Sequence, residues 1–282
     1  MTSIAYLGPT GTYAELAALS YCQLHHLSDS PLCSYPTIPQ ALQAVATQEV
    51  DLAIVPVENS TQGSVTMTLD SLWQWDQLQI QEALVLPVQH ALISHAPSLE
   101  QIQAVYSHPQ SLAQCQQWLE QFLPHTQLIP VNSNTEKMQD ISQNSHLAAI
   151  ASPRAARVYD LPILRFPIND FPDNCTRFWV LSLTTNLTHS SNQDQSRHTS
   201  LAFSTKSNEP GSLFNPLSVF AKRHINLTRI ESRPSKRSHN PYIFFIDVEA
   251  SINEVTEAIA ELREFTETLK IFGSYDIHQI IH

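Results

Sequence analysis

The sequence predicts an α/β domain followed by a smaller α+β module. Short apolar runs alternate with capped helical segments through most of the chain. A stretch from Thr185 to Arg197 is polar, lacks an apolar period and reads as a linker. Beyond it the order becomes strand, helix, strand, strand, helix, strand, which is the ferredoxin-like arrangement. The expected division is therefore 1–184, 185–197 and 198–282.

Ser3 to Leu7 forms a short strand and Gly8-Pro9-Thr10-Gly11 a turn. Thr12 and Glu15 then fit a capping box at the start of a helix. Such a unit aims backbone N–H groups at a ligand position, although many α/β proteins carry the same turn without a ligand. Ile38 to Thr47 is helical, and Asp51 to Val57 is a buried strand. That strand runs into Glu58-Asn59-Ser60-Thr61-Gln62-Gly63-Ser64, a loop dense in amides and hydroxyls. Asn59 and Ser60 can donate to an anion there, and Gly63 lets the backbone approach closely. A helix from Val65 to Trp75 follows, then strands at Glu82 to Val88 and Ala91 to Ser94.

Ala104 to Tyr106 is the next strand, running into Ser107-His108-Pro109-Gln110 and a helix that reaches Phe122. Ser107 and Gln110 fit a second capping box, with Ser107 expected both to cap and to touch ligand. Ser133 with Glu136 should cap a further helix. Leu147 to Ile150 is a strand, with a helix from Arg154 to Tyr159 after it. Asn174-Cys175-Thr176-Arg177-Phe178 then leads into the apolar run Trp179-Val180-Leu181. An amide, a hydroxyl and a guanidinium meet at the mouth of this strand, and the arginine fork suits a carboxylate. Alone, the stretch reads more readily as an arginine salt-bridged to an acid, or as a strand that merely starts at the surface.

In the second module, Thr199 to Thr205 is a strand and Gly211 to His224 a helix. Ile225 to Ile230 and Tyr242 to Glu249 are strands. Glu254 to Glu267 is a helix with Val255, Ala258, Ile259, Leu262 and Phe265 on one face, and Leu269 to Tyr275 is the last strand.

Of 282 residues 42% are hydrophobic, enough for a sizeable core. The net charge of −11 argues against nucleic acid and anionic membranes as partners. Residues 1–180 hold 5 basic against 15 acidic side chains, and no lysine or arginine precedes Lys137. An anion bound there must be held by helix amino termini, hydroxyls and Arg177. The 4 cysteines are widely spaced, and none of the 13 histidines forms a metal-binding helical pair, so no metal or cofactor is expected. No signal-peptide pattern opens the chain, and a cytoplasmic location is expected.

Taken together, the motifs resemble those of prephenate dehydratase followed by an ACT regulatory domain. The matching runs are Gly8-Pro9-Thr10-Gly11-Thr12-Tyr13, Val57 to Gly63, Ser107 to Gln110, Asn174 to Phe178, Gly211-Ser212-Leu213, and Ile225-Asn226-Leu227 leading to Glu231-Ser232-Arg233-Pro234. The family commonly has alanine where Ser111 and Ser212 stand. The resemblance implies two lobes like type II periplasmic binding proteins, a cleft between them, and conversion of prephenate to phenylpyruvate with loss of water and carbon dioxide. It implies Thr176 at the leaving hydroxyl, Arg177 at the side-chain carboxylate or holding the loop, and Asn59 and Ser60 as catalytic donors. Thr12, Glu58, Gln62, Gly63, Ser107, Gln110, Asn174 and Phe178 are the expected substrate neighbours, with Glu58 more an orienting group than a contact. In the module, Gly211, Ser212, Leu213, Asn226, Leu227, Glu231, Ser232 and Arg233 are the expected effector residues, with phenylalanine bound between subunits of a dimer or tetramer as a feedback inhibitor. The alternatives are action on arogenate, a non-catalytic small-molecule receptor, and an amino-acid-responsive regulator with an inactive first domain.

Overall fold

The computed structural model describes residues 2–183, 196–235 and 242–280. The expected linker therefore lies, up to residue 195, outside the described residues. The first lobe opens with β1 (Ile4–Leu7), α1 (Tyr13–Leu24), β2 (Leu32–Tyr35), α2 (Ile38–Ala46), β3 (Leu52–Asn59), β4 (Gly63–Ser64), α3 (Thr66–Gln74) and β5 (Leu78–Pro87). The chain then crosses into a second lobe made of β6 (Ala91–Ile93), β7 (Ala104–Ser107), α4 (Pro109–Gln114), α5 (Gln116–Phe122), β8 (Gln127–Pro130), α6 (Met138–Gln143), β9 (Leu147–Ala151), α7 (Pro153–Val158) and β10 (Ile163–Arg165). It returns to the first lobe with β11 (Cys175–Leu183). The module comprises β12 (His198–Thr205), α8 (Phe214–Ala221), β13 (Leu227–Pro234), β14 (Tyr242–Val248), α9 (Ile252–Phe265) and β15 (Thr266–Tyr275), and β16 (Ile277–Gln279) follows.

The first-lobe sheet runs β16-β5-β11-β3-β1-β2, with β4 paired to β3, and the second-lobe sheet runs β10-β6-β9-β7-β8. Two lobes joined by outgoing and returning segments are the expected periplasmic-binding-protein-like arrangement. The module's sheet, β13-β14-β12-β15, carries the ferredoxin-like strand order.

Helix starts follow their caps. Thr12 accepts the Glu15 N–H, Thr37 that of Gln40 and Ser152 that of Ala155, while Ser251 and Glu254 form a full capping box. Two expectations fail locally. His108, not Ser107, caps α4, and the helix expected to reach Phe122 breaks at Cys115. Ser133 caps no helix: Glu136 accepts the Asn132 N–H within a loop, and α6 begins only at Met138.

One core runs under both units. Leu69, Leu72, Trp179 and Leu181 of the first lobe pack in a single cluster with Ile243, Phe245, Phe272 and Tyr275 of the module. The opposite face of the first-lobe sheet, with Ile54, Phe178 and Val180, packs on α1. Ile277–Gln279 pairs with Ala83–Val85, so the chain leaves the module's sheet and adds a strand to the first one. The expected division at 198–282 did not foresee this return. Among the described residues, no helix is long and apolar enough to cross a membrane.

Candidate active site

The register of two strands builds the centre. β11 runs antiparallel to β3 with Thr176 opposite Asn59 and Arg177 opposite Glu58. Successive side chains of a strand point to opposite faces. Thr176 and Phe178 accordingly line a cavity of about 390 Å³, while Arg177 and Trp179 face the module.

Asn59, 5% exposed, is the hub. Its Nδ2 donates to Thr176 Oγ1 at 3.0 Å, to Asn174 Oδ1 at 2.8 Å and to the Cys175 carbonyl at 3.1 Å. Its Oδ1 accepts the Thr61 N–H at 3.2 Å and the Thr61 hydroxyl at 2.7 Å. A backbone carbonyl on one side and a backbone N–H on the other allow the amide one orientation. Because Thr176 Oγ1 accepts from Asn59, its own O–H is left to donate toward the cavity. Gln114 Nε2 donates to Thr61 Oγ1 at 3.1 Å, and His90 Nε2 lies 2.7 Å from Gln114 Oε1. Burial lowers the His90 pKa, with the Gln114 hydrogen bond opposing it.

The second lobe supplies the facing wall through His108, Gln110, Ser111, Gln114, Asn132, Ser133, Asn134 and Ser152. His108 accepts the Gln110 N–H on Nδ1 at 3.2 Å, and burial holds its pKa down, so the ring is neutral with its proton on Nε2. Asn134 Oδ1 accepts the His108 N–H at 3.0 Å and fixes the loop that follows β8. The lobes are clasped: Ser152 donates to the Gly11 carbonyl at 2.9 Å, Arg154 Nε to Glu15 Oε2 at 2.7 Å, and the Tyr13 hydroxyl to the Gln89 carbonyl. Gly11 has φ +88°, and a Cβ there would meet Ala155 Cα at 3.3 Å, so glycine permits both the turn and the close approach. Among the described residues, no aspartate, glutamate, lysine or arginine lines the cavity. Its polar groups are amides, hydroxyls and neutral imidazoles, beside the opening turns of α1, α2 and α4. This arrangement suits an anion held by dipoles rather than by countercharge.

Of the sequence-predicted substrate neighbours, Thr12, Asn59, Gln110, Thr176 and Phe178 line this one cavity. The others do not. Ser60 and Asn174 lie behind it, with the Ser60 hydroxyl donating to Asn174 Oδ1 at 3.3 Å. Ser107 is fully buried, donating to the Ile150 carbonyl at 2.7 Å beneath the cavity wall. Gln62 and Gly63 are exposed at the hairpin of β3 and β4. Glu58 and Arg177 are turned away together, 3.6 Å apart. His90, Gln114 and Asn134 were not anticipated. Gln114 stands one helical turn beyond Gln110, a spacing that could have flagged it. Asn132-Ser133-Asn134-Thr135 repeats the amide and hydroxyl density of the Asn59 loop. Nothing local marks His90.

Arg177 Nη1 reaches Asp247 Oδ2 of the module at 3.3 Å. Asp247 also accepts from Arg229 Nε at 2.7 Å and from the Ser200 hydroxyl at 2.6 Å. Burial alone would raise this carboxyl, but Arg229, its hydrogen bonds and Arg177 outweigh burial and hold it below the ordinary range. Of the expected effector residues, Glu231 accepts from Ser64 at 3.2 Å, and Arg233 grips Asp70 through Nε at 3.0 Å and Nη2 at 2.8 Å. Leu227 and Ser232 share β13 with them. Asn226 donates to Glu249 at 3.4 Å, and Gly211, Ser212 and Leu213 form the turn before α8.

Residues 4–186 match the family model of prephenate dehydratase. The chain belongs to the prephenate dehydratase family. Residues 199–267 match the ACT domain. The prephenate dehydratase of Lactococcus lactis is 35% identical, with 98% of each chain covered. A bifunctional chorismate mutase/prephenate dehydratase of Aquifex aeolicus is 40% identical, covering 96% of this chain and 73% of that protein. A solved structure of prephenate dehydratase from Arthrobacter aurescens, in complex with L-Phe, superposes with a TM-score of 0.87 at 30% identity, covering 98% of this chain and 90% of that one. The chain is thus a lyase of this family with an ACT domain at its carboxyl side, and the cavity described above lies within the prephenate dehydratase match.

Proposed function

We propose that this cavity converts prephenate to phenylpyruvate and that phenylalanine inhibits the reaction through the ACT domain. The observation that carries the catalytic reading is the Thr176 hydroxyl, oriented by Asn59 at 3.0 Å on the wall of a cavity without charged side chains. The ring carboxylate leaves as carbon dioxide, its bonding electrons enter the ring, and the C–O bond breaks to release hydroxide. Hydroxide takes a proton from solvent and departs as water. Thr176 donates a hydrogen bond that strengthens as negative charge grows on the departing oxygen. The uncharged lining avoids pinning the carboxylate that must leave. It also supports the keto acid over its amino counterpart arogenate, whose ammonium would call for a carboxylate the lining lacks.

Arg177, turned from the cavity, acts through strand position and its pair with Asp247 rather than at the substrate. Asn59 and Ser60 support the threonine and its loop. Thr12, Gln110 and Phe178 touch the substrate, while Glu58, Gln62, Gly63, Ser107 and Asn174 shape the walls. In the module, Leu213 caps α8 without a side-chain hydrogen bond, which leaves the Gly211-Ser212-Leu213 turn suited to an amino acid's carboxylate. The exposed Phe214 and Ile230 support a second copy against the module, in a homodimer or homotetramer. Units 1–184 and 198–282 divide the two tasks.

The test is ultraviolet detection of phenylpyruvate from prephenate. Thr176→Ala is expected to lower kcat by roughly 10²–10³-fold with little change in melting temperature, and Thr176→Ser to recover much of the loss. Unimpaired turnover by the alanine variant would remove Thr176 from the mechanism. Phenylalanine added to the wild-type enzyme is expected to inhibit, and a flat titration would remove the regulatory reading alone.

A further inference from the structure

We infer that His108 is a further substrate-binding residue, and that its Nε2–H donates to the carboxylate the substrate keeps, on its keto-acid arm. This rests on the dehydratase reading above and deepens it. His108 occupies the N-cap of α4, where its Nδ1 accepts the Gln110 N–H at 3.2 Å. Its own backbone N–H donates to Asn134 Oδ1 at 3.0 Å, and Asn134 Nδ2 donates on to Ser111 Oγ at 2.9 Å. Backbone and ring are thus both held before any ligand arrives. Serine, asparagine or aspartate fills an N-cap at least as well with a shorter side chain. What histidine adds at this position is a second ring nitrogen, farther out and carrying the proton.

The ring is half-buried and lines the cavity. Nδ1 is turned back onto α4, so the edge left to the cavity is the one that carries Nε2. Nε2 has no hydrogen-bond partner among the described residues, and it is not sealed in the interior as His90 Nδ1 and Asn174 Nδ2 are. An N–H that is open, fixed in direction and unpaired suits an acceptor on a ligand. Prephenate carries its two carboxylates and its ketone at one end of the ring and its hydroxyl at the other. Thr176 takes the hydroxyl end from the first lobe, and His108 stands on the facing wall. A hydrogen bond to the departing carboxylate weakens as that charge moves into the ring, which raises the barrier. A bond to the retained carboxylate is the same before and during the reaction, so it binds the substrate without opposing the chemistry.

The product separates the two carboxylates, because phenylpyruvate keeps the keto-acid arm and has lost the other. His108→Asn and His108→Ser retain an oxygen to cap α4 but do not reach where Nε2 lay. In both, kcat/KM for prephenate is expected to fall about tenfold or more, the loss of one hydrogen bond to a charged acceptor, with the change carried by KM. The inhibition constant of phenylpyruvate should rise by the same factor. His108→Gln places its amide nitrogen near the position of Nε2 and gives up the cap. It should recover most of both constants at a lower melting temperature. A loss carried by kcat, an unchanged phenylpyruvate constant, no loss at all, or a glutamine variant no better than the asparagine one overturns the inference. Should the variants not fold, a crystal structure of the wild-type enzyme with phenylpyruvate decides. Nε2 is expected within hydrogen-bond distance of the carboxylate, and a carboxylate bound elsewhere overturns the inference. Wild-type turnover is measured first. An inactive wild-type enzyme fails the dehydratase reading and this one with it, whereas an active one with unimpaired cap-retaining variants fails this one alone.

Discussion

Burial sets the protonation of His90, His108 and His198, holding each imidazole below its ordinary range; at His198 the Arg177 guanidinium adds to it. A histidine whose pKa is lowered by folding binds its proton more readily in the unfolded chain. The stability it contributes is full above the unfolded value near 6.5 and is lost as pH falls from there toward the folded values. Melting temperature is expected to decline below about pH 6.5, and His198→Asn to flatten part of that slope; a wild-type profile level down to about pH 5 would contradict it. At this scale the motifs pointed to Thr12, Asn59, Gln110, Thr176 and Phe178, which share one cavity, because polar groups at strand ends and helix starts stand out against apolar runs. His90 was illegible because its meaning comes from Gln114 and Asn59, which are neighbours only after folding. Arg177 lies outside the cavity for a related reason: a guanidinium next to the Thr176 hydroxyl in sequence is, on a strand, on the other face.

β11 presents Thr176 and Phe178 to the cavity and Arg177, Trp179 and Leu181 to the module. The segments were readable from apolar runs and caps, and most strands and helices fall where expected. Five elements were not: β2 is polar in part, β4, β8 and β10 are short, and β16 pairs far from its neighbours in sequence. Ser107 reads as a cap by spacing, yet the turn places His108 there and sinks Ser107 against Ile150. Gly273 lies where β15 crosses β5. Its φ is +127°, and a Cβ would come within 2.6 Å of the Ile80 carbonyl oxygen. Gly273→Ala is expected to destabilise the protein by about 2 kcal/mol or more, through strain and backbone collision. Urea denaturation measures it, and an unchanged midpoint would show that the strands separate at no cost.

Across the molecule, the module touches the first lobe through Arg177 with Asp247, Ser64 with Glu231, Asp70 with Arg233, and Asp76 with Lys270. Phenylalanine bound at the module can alter catalysis only if its preferred state changes these contacts. Arg177→Gln is expected to leave substantial turnover, since the guanidinium lies outside the cavity. It should raise the half-inhibitory phenylalanine concentration by about fivefold or more. Phenylalanine titration of the variant checks this, and an unshifted curve would place the coupling elsewhere.

Trp179, Leu181 and Phe245 share one apolar seam that neither unit could leave bare to water. Cutting the module away would therefore yield a sticky fragment, not an unregulated enzyme. A variant meant to lose the proposed phenylalanine response should keep the chain whole and change the polar contacts that border that seam, such as Arg177 with Asp247.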